Sequence, residues 1–268
     1  MSTKIHPSAI VDPKAELAEG VEVGPYAIIE ANVFIGKNSK IDAHASVKSY
    51  TRMGEKNRVH SYACIGVEPQ DLKFHGEESW LEIGNNNNIR EFSTLSRGTE
   101  LGSFSTKVGD NNLFMAYTHV AHDCQLGNNI IMSNCATLAG HVQVDDFVIL
   151  SGLSAVHQFV RIGTHAFVGG KTGIAQDLPP YMLAIGNRGG VQSPNLVGLK
   201  RMGASQELVS IMKNVFRMFW KSDLSRSEAL DQIEKEYGQH QEVINFVNFV
   251  RLSERGVLST FEQSKNSD

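Results

Sequence analysis

An aliphatic side chain recurs at every sixth position along most of this chain of 268 residues. Three rows follow this spacing, with eleven, three and twelve members. The members, here called the anchors, are Ile5, Val11, Leu17, Val23, Ile29, Ile35, Ile41, Val47, Met53, Val59 and Ile65, then Ile83, Ile89 and Leu95, then Val108, Phe114, Val120, Leu126, Met132, Leu138, Val144, Leu150, Val156, Ile162, Val168 and Ile174. Ordinary helices have a period of 3.6 and ordinary strands a period of 2, so period six requires a different architecture.

Two further positions of each six-residue unit are restricted. The fourth residue after an anchor is commonly small or β-branched, as in Ala27 and Val33, and the residue just after an anchor favours glycine or aspartate, as in Gly36 and Asp42. This pattern predicts a short strand, a tight turn and another short strand around a narrow interior. Glycine, asparagine and aspartate are expected at the corners because turns need permissive backbone angles.

Three such units of six residues form a triangular coil of 18 residues. Parallel pairing stacks successive coils about 4.8 Å apart, so eight to nine coils from 26 anchors predict a solenoid about 40 Å long. A β-sandwich would need turn signals at a wider spacing than six residues. The chain is therefore predicted to be mainly β, a parallel β-helix of hexapeptide repeats.

Two segments, 66–82 and 96–107, interrupt the anchors and are predicted to be loops on one face, where solenoids commonly bind. After Leu178 the pattern changes to a helical period. Ser205 is expected to cap a helix with an apolar stripe from Leu208 to Phe219, followed by helices near 225–237 and 241–253. The predicted domains are a β-helix over 1–190 and a C-terminal helical domain over 191–268.

Composition excludes several classes of protein. No apolar run is long enough for a transmembrane helix, and the first residues lack a secretory signal, which predicts a cytoplasmic protein. Three cysteines without a Cys-x-x-Cys pair argue against a disulfide framework or a cysteine zinc site. A net charge of −4 without a basic block argues against nucleic acid as a partner.

Four of the ten histidines, His119, His122, His141 and His157, lie close together in the last row of anchors. With a coil of 18 residues, His122, Gly140 and Gln158 stack at one corner of successive coils, and Asp123 stacks on His141. An imidazole beside a carboxylate can act as a general base, which contributes about 10²–10⁴ in rate. The Gly140 amide could stabilise an oxyanion.

The same histidines admit a second interpretation. His119, His122 and His141 could be three ligands of a catalytic zinc ion with an open fourth position. The spacing alone does not distinguish a base from a ligand.

Several motifs resemble the bacterial UDP-N-acetylglucosamine acyltransferase family. They are Gln70-Asp71-Leu72-Lys73, Ile89-Arg90-Glu91, Arg97-Gly98-Thr99, His119-Val-Ala-His122-Asp123-Cys124, Ala136-Thr-Leu-Ala-Gly140-His141, Ala155-Val-His157-Gln158-Phe159 and Gly198-Leu-Lys200-Arg201. The resemblance implies a left-handed β-helix and a homotrimer with active sites between subunits. It also implies transfer of an (R)-3-hydroxyacyl chain from acyl carrier protein to the 3-hydroxyl of UDP-N-acetylglucosamine, the first step of lipid A biosynthesis.

The resemblance assigns roles to individual residues. The implied catalytic residues are the base His122, its partner Asp123 and the oxyanion amide of Gly140. The implied substrate-binding residues are Gln70, Asp71, Lys73, His119, His141, His157, Gln158, Asn195 and Arg201. The implied acyl-chain groove contains Gly152, Phe167, Gly170 and Arg188, and its open glycines imply a long acyl chain. No metal or other bound cofactor is implied, because the donor is carried on the phosphopantetheine of acyl carrier protein.

Three residues depart from the family pattern: Val197, Met202 and Arg188 stand where an acidic residue, an arginine and a histidine are usual. The first two affect nucleotide binding and the third affects the far end of the groove. Two alternative functions remain open: a hexapeptide zinc carbonic anhydrase and a 3-amino sugar N-acyltransferase. The nearest N-acyltransferase of the pathway has a domain ahead of its solenoid, and anchors that begin at Ile5 disfavour it.

Overall fold

In the computed structural model, which describes residues 2–261, every anchor belongs to its own short strand. The first row forms β1 (Lys4–Ile5), β2 (Ile10–Val11), β3 (Glu16–Leu17), β4 (Glu22–Val23), β5 (Ile28–Ile29), β6 (Phe34–Ile35), β7 (Lys40–Ile41), β8 (Ser46–Val47), β9 (Thr51–Met53), β10 (Arg58–Val59) and β11 (Cys64–Val67). The second row forms β12 (Trp80–Ile83), β13 (Asn88–Ile89) and β14 (Thr94–Ser96). The third row forms β15 (Ser105–Val108), β16 (Leu113–Phe114), β17 (His119–Val120), β18 (Gln125–Leu126), β19 (Ile131–Met132), β20 (Thr137–Leu138), β21 (Gln143–Val144), β22 (Ile149–Leu150), β23 (Ala155–Val156), β24 (Arg161–Ile162), β25 (Phe167–Val168) and β26 (Gly173–Ile174).

Every third strand joins the same sheet, which gives three parallel sheets around one interior. Sheet A runs from β1 through β4 to β25, sheet B from β2 to β26, and sheet C from β3 to β24. Uninterrupted coils pair in a register of 18 residues, as for Glu22 with Lys40. The turns that join the sheets are called the AB, BC and CA corners. The predicted parallel solenoid of eight to nine coils is confirmed.

The anchors from Val23 onward are buried, and the small residues of the second row fill the space between them. Ile5 in the first coil is half exposed because no coil covers it from below. Apolar burial of this kind contributes about 25 cal/mol per Å². The narrow interior therefore explains both restricted rows of the sequence.

The explanation expected for the corner glycines is wrong for most of them. Gly36 has an ordinary negative φ, but a Cβ placed on it would lie 2.4 Å from the carbonyl carbon of Gly54 on the next coil. The left-handed backbone occurs instead at the third residue after an anchor, as in Tyr26 (φ 58°) and His44 (φ 61°), whose rings stack with centroids 5.1 Å apart. Glycine is therefore required after the anchor because neighbouring coils approach closely there. At the third residue after the anchor, the left-handed φ is unfavourable, and ring stacking between coils accompanies it.

Both interruptions leave the solenoid at the BC corner. The first loop covers 68–79 and the second covers 97–104, because β11, β12, β14 and β15 extend into the segments expected to be irregular. The prediction that the two loops share one face is confirmed.

The C-terminal part continues sheet A with β27 (Met182–Ile185) and the antiparallel β28 (Gly190–Pro194), and then forms four helices. They are α1 (Leu196–Arg201), α2 (Gln206–Trp220), α3 (Arg226–Tyr237) and α4 (Gln241–Arg251). The hydroxyl of Ser205 accepts a hydrogen bond from the Leu208 amide, which confirms the predicted cap of α2. The sequence did not predict β27, β28 or α1, and the helical period expected directly after Leu178 is wrong up to residue 195, because sheet A continues through β27 and β28.

Helix α2 lies against β28 and α3, and its buried side chains include Leu208, Ile211 and Val215. The division of the chain at 190 stays a prediction, and 262–268 of the expected second domain lie outside the described residues. No helix within 2–261 is long and apolar enough to cross a bilayer.

Candidate active site

His122 and Asp123 lie together at the BC corner, on the coil that follows the second loop. The His122 Nδ1 is 2.9 Å from the Asp123 Oδ2, and their side chains are 13% and 1% exposed. Because a carboxylate can only accept, Nδ1 carries the proton and Nε2 keeps a lone pair. The pair therefore presents a basic nitrogen away from the aspartate.

The second loop holds the Asp123 carboxylate in place. The Thr99 hydroxyl donates to Oδ2 at 2.6 Å, and the amides of Thr99 and Ser103 both donate to Oδ1 at 3.1 Å. Burial by itself would raise the pKa of Asp123, but the hydrogen bonds from His122, Thr99 and Ser103 outweigh it and hold that pKa below its usual range. The carboxylate is thus both immobile and ionised.

The sequence interpretation named Thr99 only as part of a family motif and assigned no role to Thr99, Gly102 or Ser103. A Cβ on Gly102 would lie 2.1 Å from the Asp123 Cγ, so the loop can approach the carboxylate only with glycine there. The usable signal was the position of the 96–107 interruption, one coil before Asp123.

Gly140 lies directly against the His122 imidazole, as the register predicted. A Cβ at Gly140 would stand 2.6 Å from the His122 Cε1 and 2.7 Å from Nε2. The His141 amide donates to the His122 carbonyl at 3.0 Å, and the Phe159 amide donates to the Gly140 carbonyl at 3.1 Å. Within residues 2–261 the Gly140 amide donates no hydrogen bond, so it can serve an external acceptor.

His141 and His119 flank this pair differently. The His141 Nε2 is 3.9 Å from the Asp123 Oδ2, and its ring is perpendicular to that of His122. Burial lowers the pKa of His141, while Asp123 acts in the opposite direction without reversing the shift. The His119 Nδ1 instead pairs with the Thr94 hydroxyl at 2.7 Å, and burial lowers the pKa of His119.

The three histidines expected for zinc do not form one group. In the described part of the chain, the donor atoms that could share a metal ion belong to His122, Asp123 and His141, all within 4.8 Å of one another. His119 lies outside this group, and its Nδ1 is engaged by Thr94. The alternative in which His119, His122 and His141 together bind zinc is therefore wrong.

Cys124 follows Asp123 in the chain but cannot be a nucleophile. Its side chain is buried, its thiol donates to the Ala139 carbonyl at 3.2 Å, and burial raises the pKa of the Cys124 thiol to about 12. The thiolate required for attack is therefore not populated near neutral pH.

A cavity of about 750 Å³ adjoins Asp123 and His141 at this corner. His157 and Gln158 are exposed further along the corner, and a guanidinium nitrogen of Arg255 is 2.9 Å from the His157 Nδ1. Gln70, Asp71 and Lys73 belong to the first loop, with Gln70 and Lys73 exposed and Asp71 half-buried. The negative charge of Asp71 acts weakly to raise the pKa of His141, against the larger effect of burial.

Asn195 and Arg201 lie elsewhere, in a cavity of about 870 Å³ on the outer face of sheet A and the CA corner. Asn195 caps α1, since its Oδ1 accepts from the Gly198 amide, and its Nδ2 donates to the His165 carbonyl. The two departures Val197 and Met202 line the same cavity.

The residues of the expected acyl groove belong to three parts of the fold. Phe167 lies in the sheet A cavity, and Arg188 is exposed in the turn between β27 and β28. Gly152 and Gly170 stack at the AB corner, where a Cβ on Gly170 would meet only the Gly152 carbonyl oxygen, at 3.5 Å. Space for a chain therefore exists at the two glycines, and the groove itself stays a prediction.

A hexapeptide β-helix with a histidine–aspartate pair at a coil corner defines the class of hexapeptide-repeat transferases. Residues 105–140 match the family model described as "Bacterial transferase hexapeptide (six repeats)". Residues 177–258 match the one described as "Udp N-acetylglucosamine O-acyltransferase; Domain 2".

Full-length relatives agree with these matches. The acyl-[acyl-carrier-protein]–UDP-N-acetylglucosamine O-acyltransferase of Alkalilimnicola ehrlichii is 52% identical over 96% of this chain and 99% of its own length. That of Burkholderia orbicola is 48% identical over 96% and 99%. The solved structure of LpxA from Acinetobacter baumannii has a TM-score of 0.93 at 40% identity and covers 95% of this chain and 99% of that one.

The chain belongs to the UDP-N-acetylglucosamine O-acyltransferase family. It is an acyltransferase, and its solenoid is a left-handed parallel β-helix. This membership sets aside the zinc carbonic anhydrase.

Proposed function

We propose that this chain transfers an (R)-3-hydroxyacyl group from acyl carrier protein to the 3-hydroxyl of UDP-N-acetylglucosamine, the first step of lipid A biosynthesis. The arrangement of His122 between the immobile carboxylate of Asp123 and the backbone of Gly140 carries this proposal. The names of the relatives supply the two substrates.

The transfer requires no covalent enzyme intermediate. Nε2 of His122 takes the proton from the sugar 3-hydroxyl as that oxygen attacks the thioester carbonyl. The Gly140 amide donates to the oxyanion that forms. When the C–S bond breaks, the same proton passes from His122 to the departing phosphopantetheine sulfur, so the imidazole ends neutral. Asp123 stabilises the imidazolium through Nδ1.

The remaining parts of the proposal concern partners and location. His119, His141, His157, Gln158 and the loop residues Gln70, Asp71 and Lys73 contact the sugar and the phosphopantetheine arm. Asn195 and Arg201 bind the nucleotide in the sheet A cavity of a neighbouring copy of the chain within a homotrimer. The chain acts in the cytoplasm and requires no bound cofactor, because the pantetheine belongs to the carrier protein.

The test replaces the base. His122→Ala should lower kcat by about 10²–10⁴ with KM nearly unchanged, because the imidazole acts on the transition state rather than on binding. Steady-state kinetics with purified acylated carrier protein measure both constants. His6→Ala, at an exposed histidine of the first coil, is the matched control and should behave as wild type. A folded His122→Ala variant with normal turnover would remove His122 from the mechanism.

The acceptor atom needs its own assay, since a 3-amino group could equally lose a proton to His122. UDP-N-acetylglucosamine and its 3-amino analogue should be compared against a series of hydroxyacyl carrier proteins, with products read by mass spectrometry. We expect an ester product from the 3-hydroxyl sugar. An amide formed in preference would identify the chain as an N-acyltransferase.

A further inference from the structure

Arg97 is a buried cation for which the proposed chemistry has no use. It is the first residue after β14, at the BC corner, and its amide donates to the Val67 carbonyl at 3.0 Å. The two loops therefore begin side by side on neighbouring coils. The residue is 5% exposed, which is unusual for an arginine.

Aromatic rings surround the Arg97 guanidinium in place of hydrogen-bond acceptors. Its central carbon lies 5.2 Å from the ring centroid of Tyr50 and 5.1 Å from that of Phe74. The Glu68 carboxylate is 3.6 Å from one nitrogen, but that side chain is 75% exposed. Among residues 2–261, Nε and Nη1 have no hydrogen-bond partner. Only a planar cation can stack on two rings in this way.

The two rings belong to different parts of the molecule. Tyr50 is part of the solenoid wall, directly before β9, and packs edge-on against Trp80. Phe74 lies in the middle of the first loop. Leu72, two residues earlier in the same loop, is fully exposed. The cation thus links a loop with mostly exposed side chains to the wall of the solenoid.

We infer that Arg97 is a positioning residue that clamps the first loop to the solenoid through Phe74. The clamp sets where Gln70, Asp71 and Lys73 stand relative to His141. This inference rests on the proposed function, which gives those three loop residues their contacts with substrate. Arg97 and Thr99 both belong to the second loop, and the Thr99 hydroxyl donates to the Asp123 carboxylate at 2.6 Å, so the clamp lies close to the site.

The experiment compares Arg97→Lys, which keeps the charge but loses the stacking, with Phe74→Ala, which removes a half-buried ring from the loop. Both variants should show faster hydrogen exchange at the amides of 68–79. Both should also raise KM for the substrates that the loop contacts about tenfold while kcat changes little, because substrate binding rather than the chemical step is weakened. The double variant should be no worse than either single one, since both remove the same contact. Phe74→Tyr, which keeps an aromatic ring, should show wild-type hydrogen exchange and wild-type KM.

Arg52→Lys is the matched control, because the Arg52 guanidinium lies 4.7 Å over the ring of Trp80, in a strand rather than in the loop. It should leave loop exchange and KM unchanged. Unchanged exchange in both Arg97→Lys and Phe74→Ala, or additive effects in the double variant, would overturn the clamp. Faster exchange with an unchanged KM would overturn its role in positioning. Absence of acyl transfer in the wild type would count against the proposed function instead, and the exchange measurement would still test the clamp.

Discussion

The carboxylate of Asp123 determines which nitrogen of His122 can act. Four donors converge on its two oxygens: the His122 Nδ1, the Thr99 amide and hydroxyl, and the Ser103 amide. A carboxylate held in this way stays ionised and cannot rotate, so the imidazole keeps one tautomer and one orientation. The residue that faces the remaining nitrogen is Gly140, which makes that glycine the most sensitive neighbour of the base.

Gly140→Ala should move the imidazole without unfolding the chain. The new Cβ would fall 2.6 Å from the His122 Cε1, which is too close, so the imidazole is expected to shift. We expect kcat to fall by about 10²-fold or more, because small displacements of a catalytic group are costly. Gly173→Ala is the control, since its Cβ would meet nothing closer than the Asn187 amide oxygen at 3.6 Å. Equal kcat for the two variants would show that a Cβ at Gly140 does not displace the His122 imidazole.

At the scale of single elements, the exposed side of α2 and the residue that follows it carry a line of positive charge. Lys213, Arg217 and Lys221 are spaced four residues apart and all are exposed. From Lys200 to Arg226 the chain has six basic residues against two acidic ones, although the chain as a whole is acidic. Carrier proteins of this class are acidic, so this line is the surface that we expect them to contact first.

Reversing Arg217 and Lys221 to glutamate should raise KM for the acylated carrier protein and leave KM for UDP-N-acetylglucosamine unchanged. The expected effect is about tenfold at low salt and smaller at high salt, where screening weakens the contact. Lys37→Glu together with Lys56→Glu makes the same change in net charge at exposed solenoid turns and serves as the control. Equal KM for the carrier in both double variants would place its docking surface elsewhere.

The AB corner is the part of the fold that we expect to limit the length of the acyl chain. Gly170→Met should shift the preferred hydroxyacyl length to a chain several carbons shorter, since the side chain fills the space above the Gly152 carbonyl. Each methylene that can no longer be buried loses about 0.8 kcal/mol of binding free energy. Over a few carbons this changes the selectivity between acyl-chain lengths by orders of magnitude. Competition among carrier proteins of graded chain length, read by mass spectrometry, gives the profile. A profile identical to that of the wild type would move the groove to another surface.

At the scale of the whole molecule, one chain separates the two halves of the proposed site. His122 and Asp123 lie at the BC corner, whereas Asn195 and Arg201 lie on sheet A and the CA corner. A triangular prism presents these surfaces in different directions. We propose that different copies of the chain supply the two sets to one substrate, in agreement with the trimer that the family resemblance implies.

Mixing two inactive variants tests this arrangement. Homotrimers of His122→Ala and of Arg201→Ala should each lose most of their activity. Co-expressed in equal amounts, they should form mixed trimers in which about a quarter of the sites combine an intact His122 with an intact Arg201 from another copy. If both residues served a site within one chain, every site in the mixture would carry a defect and mixing would restore nothing.

The sequence predicted the solenoid correctly because period six has few structural solutions. It also placed His122, Gly140 and Gln158 in one column, since the coil length converts sequence separation into position. The position of the second loop placed it near Asp123, but the contacts of Thr99, Gly102 and Ser103 could not be predicted, because a loop without periodicity has no register from which to compute the position of each residue. The same absence of register explains why the capping role of Asn195 and the helix α1 were missed.

The amino-acid sequence by itself determined the sheets, the parallel register and the column of corner residues, because a narrow interior accepts only aliphatic and small side chains at set intervals. Only the tertiary structure decided which atoms meet. It showed that corner glycines such as Gly36 are required by the approach of the next coil, and that His119 turns toward Thr94 instead of joining His122 and His141. It also brought the second loop onto Asp123, because contacts between segments that lack periodicity depend on the path of the folded chain.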